Sequence, residues 1–105
     1  MFSSITKVQV KRDQADDGAR AWQEVHAAGG SPDGLGLQSA RYLVDRVTGQ
    51  VVIVALWDTE HQARAFEQSE QVWQVREALR PFVAEGVKAV DRRTYEVVAN
   101  VGRGS

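Results

Sequence analysis

The sequence predicts a single α+β domain in which strands and helices follow one another in the order β-α-β-β-α-β. Four segments carry the apolar patterns typical of strands, and two carry apolar residues at the three-to-four spacing of helices. The chain has 105 residues, enough for one domain with its own core and too few for two. We therefore expect one domain over residues 1–101 and a flexible tail over residues 102–105.

The first strand and helix are predicted from the N-terminal third of the chain. Residues 5–11 mix apolar and polar side chains in a strand-like pattern. Asp13 is expected to cap the helix that follows, because its side-chain oxygen can accept a hydrogen bond from a free N–H at the helix start. Gly29 and Gly30 are expected to end that helix. Its buried stripe consists of Ala15, Ala19, Trp22, Val25 and Ala28.

The second and third strands are predicted as an antiparallel hairpin. Residues 37–46 and 51–57 have strand patterns, and Thr48-Gly49 between them is a turn signal. The third strand is apolar at every position, whereas a strand with one face in water alternates. We therefore expect it at the centre of the sheet, with helices on one face and a second copy of the protein on the other.

The second helix and the fourth strand complete the predicted order. Thr59 and Gln62 form a capping-box pattern at the helix start. The helix weakens near Ser69, resumes, and is expected to end or kink near Pro81. Residues 87–100 then alternate well enough for a long fourth strand. This order describes a ferredoxin-like sandwich, with helices on one face of a four-stranded antiparallel sheet.

Composition excludes several classes of function. The net charge is −1 and no basic patch is interleaved with aromatic residues, so we expect no nucleic-acid partner. The chain has no cysteine, which excludes disulfides, thiolate nucleophiles and cysteine-ligated metals and is compatible with a cytoplasmic location. No apolar run approaches about 18 residues and the N-terminus does not have a signal-peptide pattern, so we expect no membrane partner.

A distinctive stretch surrounds the third strand. Residues 51–59 read Val-Val-Ile-Val-Ala-Leu-Trp-Asp-Thr, a hydrophobic strand followed at once by a capped helix that contains Ala63 and Phe66. This pattern resembles the antibiotic biosynthesis monooxygenase-like family of dimeric α+β barrels, and the resemblance covers most of the chain in layout. Residues 79–82, Leu-Arg-Pro-Phe, also look like the end of that family's second helix.

The resemblance implies a homodimer whose sheets face each other, with a pocket in each subunit between sheet and helices. Some members of the family oxidise aromatic polyketides with molecular oxygen and no cofactor, others open haem, and many have no known activity. For this chain we expect a homodimer, a small aromatic or apolar ligand, and no cofactor.

The haem-degrading branch of the family provides a test of this expectation. Its pattern has Asn in the first strand, Trp in the second helix and an iron-ligating His ten residues later. In this sequence those two helix positions fall on Phe66 and Arg76, and the first strand has Gln9 and Lys11 but no Asn. A positively charged arginine is a poor iron ligand. The sequence therefore disfavours haem degradation.

The candidate site residues follow from the oxygenase interpretation. Arg76 is the candidate for holding an enolate or phenolate, since it occupies a position that faces the pocket in the haem branch. His61 is a candidate for proton transfer, because histidine side chains titrate near neutral pH. The predicted wall around an aromatic substrate consists of Trp57, Phe66, Trp73 and Tyr42.

Each aromatic candidate also has a structural interpretation. Trp57 could fill the end of the core instead of stacking on a substrate, and Tyr42 could lie in a core seam. Trp22 is interpreted as core, because it belongs to the apolar stripe of the first helix. Trp73 lies about 100° around its helix from the apolar stripe. It therefore borders a pocket, meets the partner subunit or lies half exposed.

The charged candidates have structural interpretations as well. Arg76 could face solvent or form a salt bridge, and the two histidines, at positions 26 and 61, are interpreted as surface residues. Neither has a second ligand at a spacing that makes a metal site, so no metal is expected. Residues 91–93, Asp-Arg-Arg, interrupt the fourth strand and are interpreted as a solvated edge or an intersubunit salt bridge. Glu67 and Glu70 are not interpreted as an acid–base pair.

Three hypotheses for function remain open. The first is a cofactor-independent oxygenase that acts on an aromatic or polyketide-like small molecule. The second is a non-catalytic dimer that binds a small apolar ligand in a closed pocket. The third is a structural or interaction module, which predicts no pocket at all between sheet and helices.

Overall fold

The computed structural model describes residues 1–28, 36–83 and 91–102, and within these ranges the chain forms four strands and three α-helices. The strands are β1 (Phe2–Gln9), β2 (Leu37–Val44), β3 (Gln50–Trp57) and β4 (Asp91–Glu96). The helices are α1 (Ala15–Ala28), α2 (Glu60–Glu67) and α3 (Glu70–Leu79). Short 3-10 turns at Arg12–Gln14 and Arg80–Phe82 precede α1 and follow α3.

The four strands form one antiparallel sheet in the order β2-β3-β1-β4. β1 runs between β3 and β4, with Phe2 opposite both Trp57 and Glu96. With the helices on one side, this is the predicted ferredoxin-like α+β fold. The predicted hairpin of β2 and β3 and the central position of β3 are confirmed.

All three helices pack on one face of the sheet. Val8 on β1 lies opposite Val51 on β3, and both belong to a core cluster with Val10 and Ala15. Ile53, also on β3, packs against this cluster and against a second one beneath α1 and α3. The second cluster consists of Trp22, Val75 and Leu79.

The other face of the sheet, here called the open face, also carries apolar side chains. Its apolar residues are Ile5, Leu43, Val52, Val54, Leu56 and Tyr95. Leu43 and Tyr95 are each 48% exposed, and the other four are half-buried. The prediction that a second copy covers this face stays a prediction.

Local signals at the turns and helix ends behave as the sequence predicts. The Thr59 hydroxyl accepts a hydrogen bond from the Gln62 N–H at 3.2 Å, and the Gln62 side chain accepts one from the Thr59 N–H at 3.1 Å. This reciprocal pair is the predicted capping box and fixes the start of α2. Gly49 ends the hairpin turn with a φ of +80°, a conformation that favours glycine.

The second predicted helix is two helices. The Ser69 hydroxyl accepts a hydrogen bond from the Val72 N–H at 3.3 Å and therefore caps a new helix, α3. The same hydroxyl donates to the Phe66 carbonyl at 2.6 Å at the end of α2. The weakness predicted near Ser69 is thus a break between helices, and α3 ends before Pro81 as expected.

Several predicted boundaries were wrong. β1 starts at Phe2 because its first residues pair with strands on both sides, a contact that local sequence does not show. Asp13 lies inside the 3-10 turn that leads into α1 and is not the residue directly before the helix. β2 ends at Val44 because the Asp45 carboxylate accepts N–H bonds from Val47 and Thr48 and forms the turn.

The fourth strand ends earlier than predicted and is not interrupted by its charges. β4 spans Asp91–Glu96, so Arg92 and Arg93 are ordinary strand residues on opposite faces. The predicted continuation to Asn100 was wrong, because β4 ends at Glu96. The predicted helix end at Gly29-Gly30, the strand start at residues 87–90 and the tail residues 103–105 lie outside the described residues.

In the described ranges, no helix has the length and apolar character needed to cross a membrane.

Candidate functional site

A cavity of about 310 Å³ lies between the sheet and the helices. It exists because small side chains meet across three strands: Ala55 on β3 lies opposite Ser4 on β1 and opposite Ala40 on β2, and all three line the cavity. Larger side chains surround this row of small ones. The apolar ones on the helices are Trp22, Phe66, Val72, Val75 and Leu79. The volume lies within the range of pockets that hold small organic ligands.

Trp57 closes one end of the cavity. Its side chain is fully buried, and its indole N–H donates a hydrogen bond to the Ser4 hydroxyl at 3.0 Å. Its ring packs on Phe66 with 5.0 Å between ring centroids and 42° between planes. Because its N–H is already bonded, Trp57 offers a ligand an aromatic surface and no free donor. Trp57 is therefore both a buried core residue and part of the cavity wall, so its two interpretations are compatible.

Of the arginines that the structure describes, three line the cavity: Arg76 and Arg80 from the α3 region and Arg92 from β4. Arg76 and Arg80 are exposed, which places them at the rim, and Arg80 pairs with Glu77 at 2.6 Å. Among the described residues, Arg76 forms no ion pair. The solvent-facing interpretation of Arg76 and its place at the pocket are thus compatible.

Arg92 lies deeper than the other two arginines. Its side chain is 13% exposed, and its guanidinium carbon lies 5.4 Å from the centroid of the Phe66 ring. Glu67 is its neighbouring carboxylate, with 3.6 Å between Nε and Oε1. Burial lowers the pKa of Arg92, an effect that Glu67 opposes and the charge of Arg76 reinforces. The expectation of a solvated edge was wrong for Arg92, because strand alternation turns it towards the helices.

His26 on α1 also lines the cavity. Its ring packs edge-on against Trp22, with 4.8 Å between centroids, and its Nδ1 lies 3.3 Å from the Gln71 side-chain amide nitrogen. Burial lowers the pKa of His26, which favours the neutral form near pH 7. The surface interpretation of His26 was wrong, because the residue lies one helical turn after Trp22 on the face towards the cavity.

Tyr42 does not line the cavity. Its hydroxyl donates a hydrogen bond to the Ala15 carbonyl at 3.1 Å, at the start of α1, and burial raises its pKa. The hydroxyl lies against Gly18, where a Cβ atom would be 2.7 Å from the Tyr42 oxygen. The residue therefore joins β2 to α1, which matches its interpretation as part of a core seam.

Trp73 and His61 lie outside the cavity lining as well. Trp73 is 60% exposed on α3, because the buried stripe of that helix is formed by Val72, Val75 and Leu79. His61 is exposed in the first turn of α2. The structure thus brings together three of the six predicted site residues, Trp57, Phe66 and Arg76.

Two of the cavity residues that sequence reasoning missed carried a signal that could have found them. His26 follows Trp22, a residue of the predicted apolar stripe of α1, by four positions, and residues at this spacing share one helix face. Arg92 lies three positions before Tyr95, so the alternation of the predicted strand already placed them on opposite faces. The charges next to Arg92 concealed this signal, because such clusters usually face solvent.

The donor set of the site limits what it can hold. The described residues contain no group of three His, Cys, Asp or Glu side chains placed to bind a metal ion. The lining is mainly aromatic and aliphatic, with positive charge at Arg76, Arg80 and Arg92 and a neutral imidazole at His26. Such a site suits a planar apolar ligand with an oxygen that carries negative charge.

The fold is similar to that of several solved structures. A protein from Deinococcus radiodurans, described as a proposed antibiotic biosynthesis monooxygenase, superposes with a TM-score of 0.72 at 17% identity, covering 100% of both chains. A protein from Nitrosomonas europaea with the same description has a TM-score of 0.71 at 16% identity, covering 94% of this chain and 100% of the other. One from Chloroflexus aurantiacus J-10-fl has 0.67 at 21%, covering 98% of each.

No family model matches the sequence, and no curated protein matches it. At identities of 16–21% the structural likeness shows the fold, and the predicted resemblance to solved antibiotic biosynthesis monooxygenase structures is confirmed at that level.

Proposed function

We propose that the protein oxidises a small hydroxylated aromatic molecule with molecular oxygen and without a cofactor. The observation that carries this proposal is the cavity of about 310 Å³, whose lining includes Trp57, Phe66 and, at the rim, Arg76. The similarity to structures described as proposed monooxygenases supports it.

The reaction balances without an external reductant. Loss of the phenolic proton makes the ring electron-rich, and the activated ring carbon then transfers electrons to oxygen and forms a C–O bond as a hydroperoxide. Loss of water leaves a quinone carbonyl. A phenol and one O₂ therefore give a quinone and one H₂O: the aromatic ring loses four electrons, and the two oxygen atoms gain them.

The residues of the cavity have distinct roles in this proposal. Trp57 and Phe66 orient the ring of the substrate and exclude water, which strengthens electrostatic interactions. Arg76 stabilises the phenolate oxygen as it forms. His26 is neutral because burial lowers its pKa, and its Nδ1 accepts the phenolic proton when the ligand displaces the Gln71 amide from it. This last role was expected of His61, but the cavity position favours His26.

The proposal is tested by oxygen uptake with a panel of hydroxylated polycyclic aromatic compounds. Arg76→Met should lower kcat by about 100-fold or more with the best substrate, because one oxyanion-stabilising donor is lost. Arg64→Met is the matched control, since Arg64 is exposed on α2 and does not line the cavity. Unchanged turnover in Arg76→Met would exclude a catalytic role for Arg76. The absence of oxygen uptake across the whole panel would contradict the proposal that the protein is an oxygenase.

Binding without turnover is the alternative that the geometry also favours. The indole N–H of Trp57 in the cavity wall is already bonded to the Ser4 hydroxyl, and the Tyr42 hydroxyl lies outside the cavity lining. Ala55→Leu, which fills the cavity, should abolish ligand binding under either function. A wild-type protein that binds aromatic ligands and consumes no oxygen would identify this alternative. The interaction-module hypothesis predicted no pocket, and the cavity argues against it.

We also propose that the protein is a homodimer that pairs through the open face. The half-buried side chains of Val52, Val54 and Leu56 form an apolar strip along β3, which is unusual for a face left in water. Leu43 and Tyr95, each 48% exposed, extend the strip on β2 and β4. A second copy placed face to face would bury this strip.

A further inference from the structure

We infer that the ligand of the cavity is an aromatic carboxylate and that Arg92 on β4 binds its carboxylate group. This inference rests on the proposed function, because it takes the cavity between sheet and helices as the ligand site. It adds a substrate class and a binding residue that the oxygenase proposal does not require.

The position of Arg92 is set by the sheet. Arg92 pairs with Thr6 on β1, and both residues line the cavity from the face towards the helices. Its side chain is 13% exposed, whereas Arg76 and Arg80 at the rim are exposed. Arg92 is therefore a positive charge in the interior wall of an apolar cavity.

The described residues compensate this charge only in part. The Glu67 oxygen nearest to the Arg92 Nε lies at 3.6 Å, which is beyond hydrogen-bond distance. That same oxygen already accepts a hydrogen bond from the Thr94 hydroxyl at 3.0 Å. The Nε atom is enclosed and has no hydrogen-bond acceptor among the described residues. A buried charge with such incomplete compensation is unfavourable unless another group supplies the missing charge.

The arginines that line the cavity among the described residues differ in how they are compensated. Arg80 pairs with Glu77 at 2.6 Å, and Arg76, which the proposed reaction assigns to the ring oxygen of the substrate, has no carboxylate partner. Glu67 compensates Arg92 only in part. A carboxylate on the ligand would complete the compensation of Arg92, and the planar guanidinium suits a carboxylate because it can donate two parallel hydrogen bonds.

The surroundings of Arg92 indicate an aromatic acid. Its guanidinium lies over the ring of Phe66, which packs on Trp57, so apolar aromatic surface continues directly from the charge. Arg76 lines the same cavity as Arg92. In the proposed reaction the carboxylate would bind Arg92 while the neighbouring ring oxygen meets Arg76. The substrate class is then a hydroxylated aromatic carboxylate.

The inference is tested by isothermal titration with 2-naphthoate and with its neutral isostere 2-naphthamide. The wild-type protein should bind 2-naphthoate at least 10-fold more tightly than the amide. Arg92→Met should remove that preference and leave affinity for the amide nearly unchanged. Arg20→Met, which removes an exposed arginine on α1 away from the cavity, should keep the full preference. Arg92→Lys keeps the positive charge but lacks the planar guanidinium, so this variant should retain only part of the preference for 2-naphthoate.

Each outcome separates this inference from the proposed function. Equal wild-type affinity for acid and amide, or an undiminished preference in Arg92→Met, would overturn the carboxylate inference while leaving the cavity as an aromatic ligand site. Binding of neither compound would contradict both proposals. If Arg92→Met does not fold, the inference is tested by the wild-type comparison of acid and amide and by Arg92→Lys. A lysine variant that retains the full preference for the acid would also contradict a contact specific to the guanidinium.

Discussion

At the scale of single residues, the cavity depends on small side chains that lie beside large aromatic ones. Ala40, Ala55 and Ser4 form a row across three strands, and the space above them remains open because none has more than one heavy atom beyond Cβ. The Ser4 hydroxyl also fixes the indole of Trp57 by a buried hydrogen bond. Ser4 therefore leaves space for the cavity and also fixes the orientation of the Trp57 ring in its wall.

The buried histidine gives a residue-scale prediction on pH. Burial lowers the pKa of His26 below its ordinary value of 6.5, so the unfolded chain binds a proton more readily than the folded one. The stability linked to neutral His26 is complete above pH 6.5 and falls as the pH decreases towards the lowered pKa. His26→Gln should therefore lose less stability than the wild type between about pH 7.5 and about pH 5.

Urea unfolding midpoints at the two pH values measure this difference. Gln23→Ala, an exposed substitution on the same helix, serves as the control and should keep the wild-type pH dependence. A His26→Gln variant whose midpoint falls with pH as steeply as the wild type would show that this imidazole is not buried in solution.

At the scale of elements, a close approach between Gly18 on α1 and the Tyr42 hydroxyl on β2 adds to the core packing that holds α1 on the sheet. The Tyr42 hydroxyl reaches the Ala15 carbonyl at the start of α1, and only a residue without Cβ leaves room for it at position 18. A glycine inside a helix normally reduces stability by about 1 kcal/mol relative to alanine. The contact with Tyr42 offsets this loss of stability, because it fixes the position of the helix above the cavity.

This contact predicts a sign change between two backgrounds. Gly18→Ala should destabilise the wild-type protein, because its Cβ would lie 2.7 Å from the Tyr42 oxygen. In a Tyr42→Phe background the same substitution should stabilise by up to about 1 kcal/mol, since the oxygen is gone and the helix propensity of alanine remains. Chemical unfolding of the four proteins measures the cycle, and an identical effect in both backgrounds would contradict the contact.

The elements also show which parts of the structure could be predicted from sequence. The capping box at Thr59 and the turn at Gly49 are local, since the residues that define them are a few positions apart. The continuous apolar pattern of β3 predicted its central position. The start of β1 at Phe2 was missed because it depends on pairing with strands distant in sequence.

The candidate site was predicted less completely for the same reason. Trp57 and Phe66 were found because they lie in and next to the distinctive third strand. Trp73 and Tyr42 were misplaced relative to the cavity, because aromatic residues at these positions fit a pocket, a seam or the surface equally well on sequence alone. The place of Arg92 in the cavity could not be predicted without the register of β4 against β1, which only the folded sheet shows.

At the scale of the whole molecule, the two faces of the sheet have different roles. One face and the helices enclose the cavity, and the open face carries an apolar strip without a cover among the described elements. Because β3 contributes to both faces, Ala55 can line the cavity while its neighbour Val54 faces the proposed partner. In this arrangement ligand binding and dimer formation can be altered separately.

The proposed dimer predicts a mass that a single substitution changes. By light scattering at micromolar concentration, the wild type should have about twice the chain mass of 11.6 kDa. Val54→Lys places a charge in the centre of the open face and should give a monomer. Val47→Lys is the matched control, because Val47 is 75% exposed in the β2–β3 turn, and it should remain dimeric. A wild-type mass near 11.6 kDa would contradict the dimer.

The central claim, that the cavity between sheet and helices binds an aromatic ligand, is tested most directly by NMR of the three tryptophan indole N–H groups. Trp22 and Trp57 line the cavity, whereas Trp73 is 60% exposed on the outer side of α3. Addition of 2-naphthol should shift the Trp22 and Trp57 signals in a saturable way and leave that of Trp73 in place. A saturable shift of Trp73 alone, or no shift of any indole at millimolar ligand, would contradict the account.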